Sequence, residues 1–227
     1  MKQKFTILFD LDGTLVDTAP DLMLAHNHVM KKFGYPTKST EDIRNLVGKG
    51  AGALIGRSIW GQAKKEFSKV LDAKIKDEMV IEFVNFYGKN IVNESTLVTG
   101  VKDFLIWCKE QNISMAVCTN KQEHLSNDLL KKIGIYDFFE YVAGSDTFDY
   151  CKPDPRHLTN VVEILDGDVK KTIMIGDSET DANAAKAAEI PVILLENGYT
   201  EKNTTEIYHN HLIKDFIGIE KIISKYL

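Results

Sequence analysis

The chain predicts an α/β fold, a mainly parallel sheet with helices on both faces, into which an all-helical cap is inserted. Three observations predict it. Beyond Thr99, short apolar runs alternate with longer amphipathic segments, the order that builds a parallel sheet. From about Val16 to Glu94 the periodicity is helical, with no convincing strand. One apolar run, Phe5–Phe9, precedes that helical block, so the block interrupts the sheet rather than following it.

Each element has a local reason. Phe5-Thr6-Ile7-Leu8-Phe9 reads as a buried strand that ends at Asp10, with Gly13 marking the turn. Ala19–Phe33 carries Leu22, Ala25, Val29 and Phe33 at three- and four-residue spacings, with Pro20 near its start and Gly34 and Pro36 closing it. Ser39–Leu46 opens on capping residues and reads as a short helix. Two further helical patterns cover about Gln62–Leu71 and Lys76–Ile91. The remainder reads as helix Val101–Gln111, strand Ile113–Cys118, helix His124–Ile133 ended by Gly134, and strand Tyr141–Ala143. Helix Pro155–Leu165, strand Thr172–Ile175, helix Asp181–Ala188, strand Val192–Leu195 and helix Phe216–Tyr226 complete it. The division expected is a catalytic core of residues 1–15 and 95–227 with a helical cap of residues 16–94.

Composition excludes several function classes. With 227 residues, 44% hydrophobic and 27% charged, a full core can be buried. A net charge of −5 argues against a nucleic-acid binder, which needs a basic face. No apolar run reaches the ~20 residues a membrane span needs, and the N-terminal run is too short for a signal peptide. The three cysteines form no CxxC pair and read as buried free thiols. The expected location is cytoplasmic. The histidines show no HxxxH or HExxH spacing, so no zinc site is expected, and His26 and His28 read as residues of a cap face.

In an open parallel sheet the carboxyl ends of the strands lie on one edge, where ligands bind. Here those ends carry Asp10-Leu11-Asp12, then Thr119-Asn120, then Lys152-Pro153 in a loop, then Gly176-Asp177-Ser178 with Asp181 beyond. Carboxylates, a hydroxyl or amide donor and a lysine at one place suit a hard divalent cation and a phosphoryl group. Several carboxylates in one cleft repel each other, and Mg²⁺, which takes oxygen ligands, offsets that repulsion. Oxygens of Asp10 and Asp177 and the main-chain carbonyl of Asp12 are the expected donors. A carboxylate can be the nucleophile in phosphoryl transfer, while a second must hold a proton, which nearby like charge favours. The cluster Gly48, Gly50, Gly52 is not a GxxxxGK[ST] loop and follows no strand. It reads either as a hinge or as a cap loop touching substrate, with Lys49 and Arg57 as the cap cations near it.

These four strand-end motifs, in this order, resemble those of the haloacid dehalogenase-like superfamily, and the resemblance spans essentially the whole chain. It implies a Rossmann-like core. It also implies Asp10 as nucleophile, Asp12 as general acid and later base, and Lys152 as the cation that neutralises nucleophile and phosphoryl oxygens. Thr119 and Asn120 would hold the phosphate, with Lys49 also binding substrate. Asp10, Asp12 and Asp177 would ligate Mg²⁺, with Asp181 supporting that site. A carboxylate at Asp12 points to phosphatases and mutases rather than dehalogenating or phosphonate-cleaving members. An insertion directly after the first motif matches the helical cap class.

Two segments, Asp12–Leu22 and Leu46–Leu54, look like phosphoglycolate phosphatases and their near relatives. The expected partner is therefore a small phosphorylated metabolite, and the expected assembly a monomer or homodimer. The rival hexose phosphate mutases typically carry a His where Leu22 stands and an Arg near Ala51, so hydrolysis is favoured over transfer to a second sugar. A receiver-type phospho-acceptor module is the remote alternative. In that fold the accepting Asp follows an internal strand and no helical cap interrupts the chain.

Overall fold

A computed structural model describes residues 4–60 and 69–227. In chain order it begins with strands β1 (Thr6–Phe9) and β2 (Val16–Asp17) and helices α1 (Ala19–Phe33), α2 (Thr40–Arg44), α3 (Ala51–Trp60) and α4 (Lys69–Lys89). Strand β3 (Thr96–Leu97), helix α5 (Val101–Glu110), strand β4 (Ser114–Cys118), helix α6 (Glu123–Ile133) and strand β5 (Tyr141–Ala143) follow. The chain then runs through α7 (Arg156–Ile164), β6 (Thr172–Gly176), α8 (Glu179–Ala187), β7 (Val192–Leu195), β8 (His211–Ile213) and α9 (Glu220–Ile223).

Six strands form one sheet in the order β5-β4-β1-β6-β7-β8, and each neighbouring pair is parallel. Successive side chains of a strand point to opposite faces, and the core divides accordingly. Ile7 and Phe9 of β1 join one buried cluster with Phe104, Leu129 and Ile223 from α5, α6 and α9. Leu8 joins the other, with Leu158 and Val161 of α7 and Ala182 and Ala185 of α8. Helices therefore cover both faces, and the strands read as unbroken apolar runs because neither face meets water.

The helical block enters and leaves through a two-stranded antiparallel ribbon that pairs Val16 with Leu97 and Asp17 with Thr96. The buried Asp21 in the first turn of α1 fastens the return. Its carboxylate accepts hydrogen bonds from the main-chain N–H groups of Asn93, Glu94 and Ser95 (2.9–3.1 Å) and from Ser95 Oγ at 2.6 Å. Inside the block, α1 packs along α4 and α3 against α4.

Several elements differ from the sequence reading. The ribbon was not expected, because two-residue strands carry no periodicity to detect. Helix α3 replaces what read as a glycine loop. Its Gly52 and Gly56 each cost about 1 kcal/mol of helix propensity, yet Leu54, Ile55 and Ile59 bury on one face and packing outweighs propensity. The helix expected over Gln62–Leu71 lies mostly outside the described residues. Strand β8 was missed, and α9 is confined to Glu220–Ile223 within the longer helix expected there. His26 is buried between α1 and α3, with Nε2 2.9 Å from Ser58 Oγ, not on a cap face. His28 does lie on the surface of the block, beside Glu82 and stacked on Phe86.

Candidate active site

The site is built on the carboxyl ends of β1, β4 and β6. Asp10 directly follows β1, and its N–H is held by Ile175 O at 2.9 Å. Asp177 directly follows β6, and Asp181 lies in the first turn of α8. Oxygens of Asp10, Asp177 and Asp181 all lie within 4.8 Å of one another, and all three residues are buried. Lys152 Nζ stands among them, 3.0 Å from Asp10 Oδ1 and 2.5 Å from Asp181 Oδ1.

Each of these groups has an assigned neighbour. Asp181 Oδ2 accepts from the N–H of Ser178 (3.0 Å), from Ser178 Oγ (2.7 Å) and from the N–H of Asp177 (3.2 Å), so it closes the turn that carries Asp177. Asp177 accepts from Thr14 Oγ1 at 3.2 Å and from the N–H of Tyr199 at 2.6 Å. Gly13 is required by both space and backbone. Its φ is +81°, and a Cβ there would meet Asp177 Oδ2 at 2.2 Å.

Electrostatics follow from this crowding. Burial, with the charges of Asp181 and Asp12 adding to it and Lys152 opposing it, pushes the Asp10 carboxyl up to about 6. Burial and the neighbouring Asp181 and Asp10 hold Asp177 well above the usual carboxylate range. Burial alone would lower Lys152, but Asp10 and Asp181 outweigh it and the ammonium is held above its ordinary value. One lysine thus faces three carboxylates, and Asp10 Oδ1 has no aligned hydrogen-bond donor. The donors are all carboxylate oxygens, and the buried Cys118 thiol, pushed up to about 12 chiefly by burial, supplies no thiolate. A hard divalent cation fits this set.

Asp12 behaves differently. Its side chain turns from the three-carboxylate group to Thr18 Oγ1 (2.7 Å) and to Lys121 Nζ, which donates to both of its oxygens at 2.8 Å. Thr119 follows β4, its N–H bonded to Ala143 O and its Oγ1 accepting from the N–H of Lys121 at 3.2 Å. Asn120 Nδ2 donates to Lys152 O (2.9 Å) and to Gly48 O (3.1 Å), tying the Gly48–Gly50 loop to the sheet edge. Asp10, Asp12, Thr119 and Asn120 line one cavity of about 290 Å³, roofed by Leu22 and the loop that bears the exposed Lys49. Arg57 is engaged elsewhere, with Asn45 O, Leu46 O and the Glu201 carboxylate.

A protein-family model described as haloacid dehalogenase-like hydrolase matches residues 7–195. The chain belongs to this family. It is 38% identical over 216 residues to a phosphoglycolate phosphatase of Caulobacter vibrioides, covering 95% of this chain and 89% of that one. It is 37% identical over 210 residues to a phosphoglycolate phosphatase of Mesorhizobium japonicum, covering 92% and 90%. Among solved structures, a predicted phosphoglycolate phosphatase from Haemophilus somnus superposes with a TM-score of 0.89 at 31% identity, over 98% of this chain and 99% of that one. A β-phosphoglucomutase from Clostridium difficile shares the fold at a TM-score of 0.78 and 23% identity, over 98% and 97%. A mutase thus shares the architecture of this chain, and the fold alone does not separate the two activities.

Two residues at the site of this family member escaped the sequence reading. Lys121 had a signal, its place directly after Thr119-Asn120 at a strand end. Tyr199 had none: it follows β7 by several residues, yet its N–H holds Asp177. Its hydroxyl accepts from the N–H of Ala19 at 2.8 Å and donates to Asp17.

Proposed function

We propose that the protein is a Mg²⁺-dependent phosphatase of a small phosphomonoester, phosphoglycolate or a similar metabolite, working through an aspartyl-phosphate. The observation that carries this reading is the meeting of Asp10, Asp177 and Asp181 beside Lys152, with Asp10 also lining the cavity that Thr119 and Asn120 line. The names of its relatives support the substrate. Residues 1–15 and 95–227 act as the catalytic core and residues 16–94 as a cap that excludes water from the cleft.

Asp10 and Asp177, with the main-chain carbonyl of Asp12, would hold Mg²⁺, and Asp181 would keep Asp177 in place. When bound, the ion supplies positive charge to the nucleophile and the phosphoryl oxygens. In the first half-reaction an Asp10 oxygen forms the bond to phosphorus as the ester oxygen leaves, and Asp12 hands that oxygen its proton. In the second, Asp12 takes a proton from water as the water oxygen attacks phosphorus. The Asp10–phosphorus bond then breaks and inorganic phosphate is released. Lys152 balances charge on Asp10 throughout, and the Thr119-Asn120 turn grips the phosphoryl oxygens.

Leu22 and Ala51 both line the cavity. Neither offers a proton or a cation to a second phosphate, which favours water over a second sugar as acceptor. Turnover of a panel of small phosphate esters with and without Mg²⁺ tests the reading, together with Asp10→Asn. That variant is expected to keep the fold by circular dichroism and to lose turnover by at least about 10³-fold. Near-normal turnover would remove Asp10 as nucleophile.

A further inference from the structure

We infer that Lys121 reads a second anion on the substrate, a carboxylate one carbon from the ester oxygen. This rests on the phosphatase reading and adds to it the residue that selects the leaving group. The side chain of Lys121 is only 5% exposed. Its ammonium lies between the two Asp12 oxygens, at 2.8 Å each, and the face of the Tyr87 ring, 4.5 Å from the centroid.

Two constraints place substrate there. With the phosphoryl group at Asp10, the ester oxygen must reach Asp12 to take its proton. Whatever lies one carbon beyond that oxygen then sits beside the groups that touch Asp12, and Lys121 is one of them. Asp10 and Asp12 also line this cavity, so a substrate carboxylate entering it meets repulsion unless a cation stands on the same wall. Among the described residues lining the cavity the cations are Lys49 and Lys121. Lys49 is exposed, where its charge is screened by water. Lys121 is buried with its ammonium over the Tyr87 ring, in a cavity also lined by the apolar Leu22, Phe83 and Leu125, and burial strengthens a charge–charge contact. Lys152 is committed to Asp10 and Asp181.

Such a site discriminates by charge. An ester lacking the carboxylate leaves Lys121 with Asp12 as its anion, so it gains nothing from the lysine, whereas a carboxylated ester gains an ion pair. The experiment compares kcat/KM for 2-phosphoglycolate and for ethyl phosphate, with Mg²⁺, in the wild type and in Lys121→Gln, Lys121→Arg and Lys49→Met. Lys121→Gln keeps a hydrogen-bond donor for Asp12 and removes the charge, and circular dichroism checks its fold. The wild type is expected to prefer 2-phosphoglycolate by at least about tenfold.

Lys121→Gln should lose that preference, while Lys121→Arg and Lys49→Met keep it within about threefold. Equal loss on both esters in Lys121→Gln, or an unchanged preference, overturns the inference. A wild type that turns over both esters alike overturns it while the phosphatase reading stands. A wild type that turns over no phosphate ester removes that reading, and the inference with it.

Discussion

Lys152 is the residue on which the charge balance of the site turns. It is buried and pairs with Asp10 at 3.0 Å and with Asp181 at 2.5 Å, while Asp177 completes the carboxylate group around them. Removing one partner from a buried ion pair typically costs about 3–5 kcal/mol, because the remaining charge is left without compensation. Lys152→Met should therefore destabilise the metal-free protein by roughly that amount, read as a shift of the urea unfolding midpoint, and should also abolish turnover. Added Mg²⁺ is expected to recover part of the lost stability and none of the turnover, since an ion that binds only the folded state raises the midpoint by mass action. Asp177→Asn is expected to reduce the Mg²⁺-induced rise in thermal midpoint seen with the wild type. A full rise in that variant would count against Asp177 as a ligand.

At the scale of elements, the join between the helical block and the sheet decides how the roof of the cavity is held. Among the described residues it is made by the β2–β3 ribbon, the Asp21 clasp on residues 93–95, Tyr199, which ties the start of α1 to Asp177, and contacts such as Asn120 to Gly48 O. Asp21→Ala leaves three main-chain N–H groups without their acceptor, in a turn where Asn93 and Glu94 are exposed and Ser95 is buried. At about 1 kcal/mol for each bond, with more where a group stays buried unpaired, the expected loss is about 3 kcal/mol. The same variant should become sensitive to limited proteolysis near Asn93, and an unchanged unfolding midpoint would show that the join holds without the Asp21 clasp. None of this was visible in the sequence. Asp21 reads there as an ordinary first-turn acid of a helix, and its partners lie more than seventy residues away. Helix α3 was hidden for a related reason, because its glycines argue locally for a loop while Leu54, Ile55 and Ile59 gain their burial only from the rest of the fold.

The whole molecule follows from rules that act along the chain more than from contacts across it. Parallel strands buried on both faces leave apolar runs, and the runs end where the chain reaches the ligand edge, so Asp10, Thr119 and Asp177 could be placed from β1, β4 and β6 alone. Lys121 and Tyr199 act through neighbours distant in sequence, and no periodicity marks such pairs. His157 belongs to this second kind, and it gives the fold a dependence on acidity. It is fully buried on α7, edge-on to Phe148 at 5.8 Å, and neither ring nitrogen makes an aligned hydrogen bond. Burial first, and the charge of Lys152 next, lower it from 6.5 to about 4. The imidazole is therefore neutral in the folded protein at pH values where the unfolded chain already binds a proton. Above about pH 6.5 neither state is protonated there and His157 costs nothing. As the pH falls from 6.5 toward 4 the unfolded state gains a proton first, and stability is lost by up to about 3 kcal/mol. Below 4 both states carry the proton and the loss stops growing. His157→Leu fills the same apolar space without a titrating group, so the difference between the two unfolding free energies should open across that window and stay flat above it. Urea titrations at half-unit pH steps on both proteins, without metal, measure that difference directly, and a constant difference from pH 7 to 4 would show that His157 is protonated alike in both states.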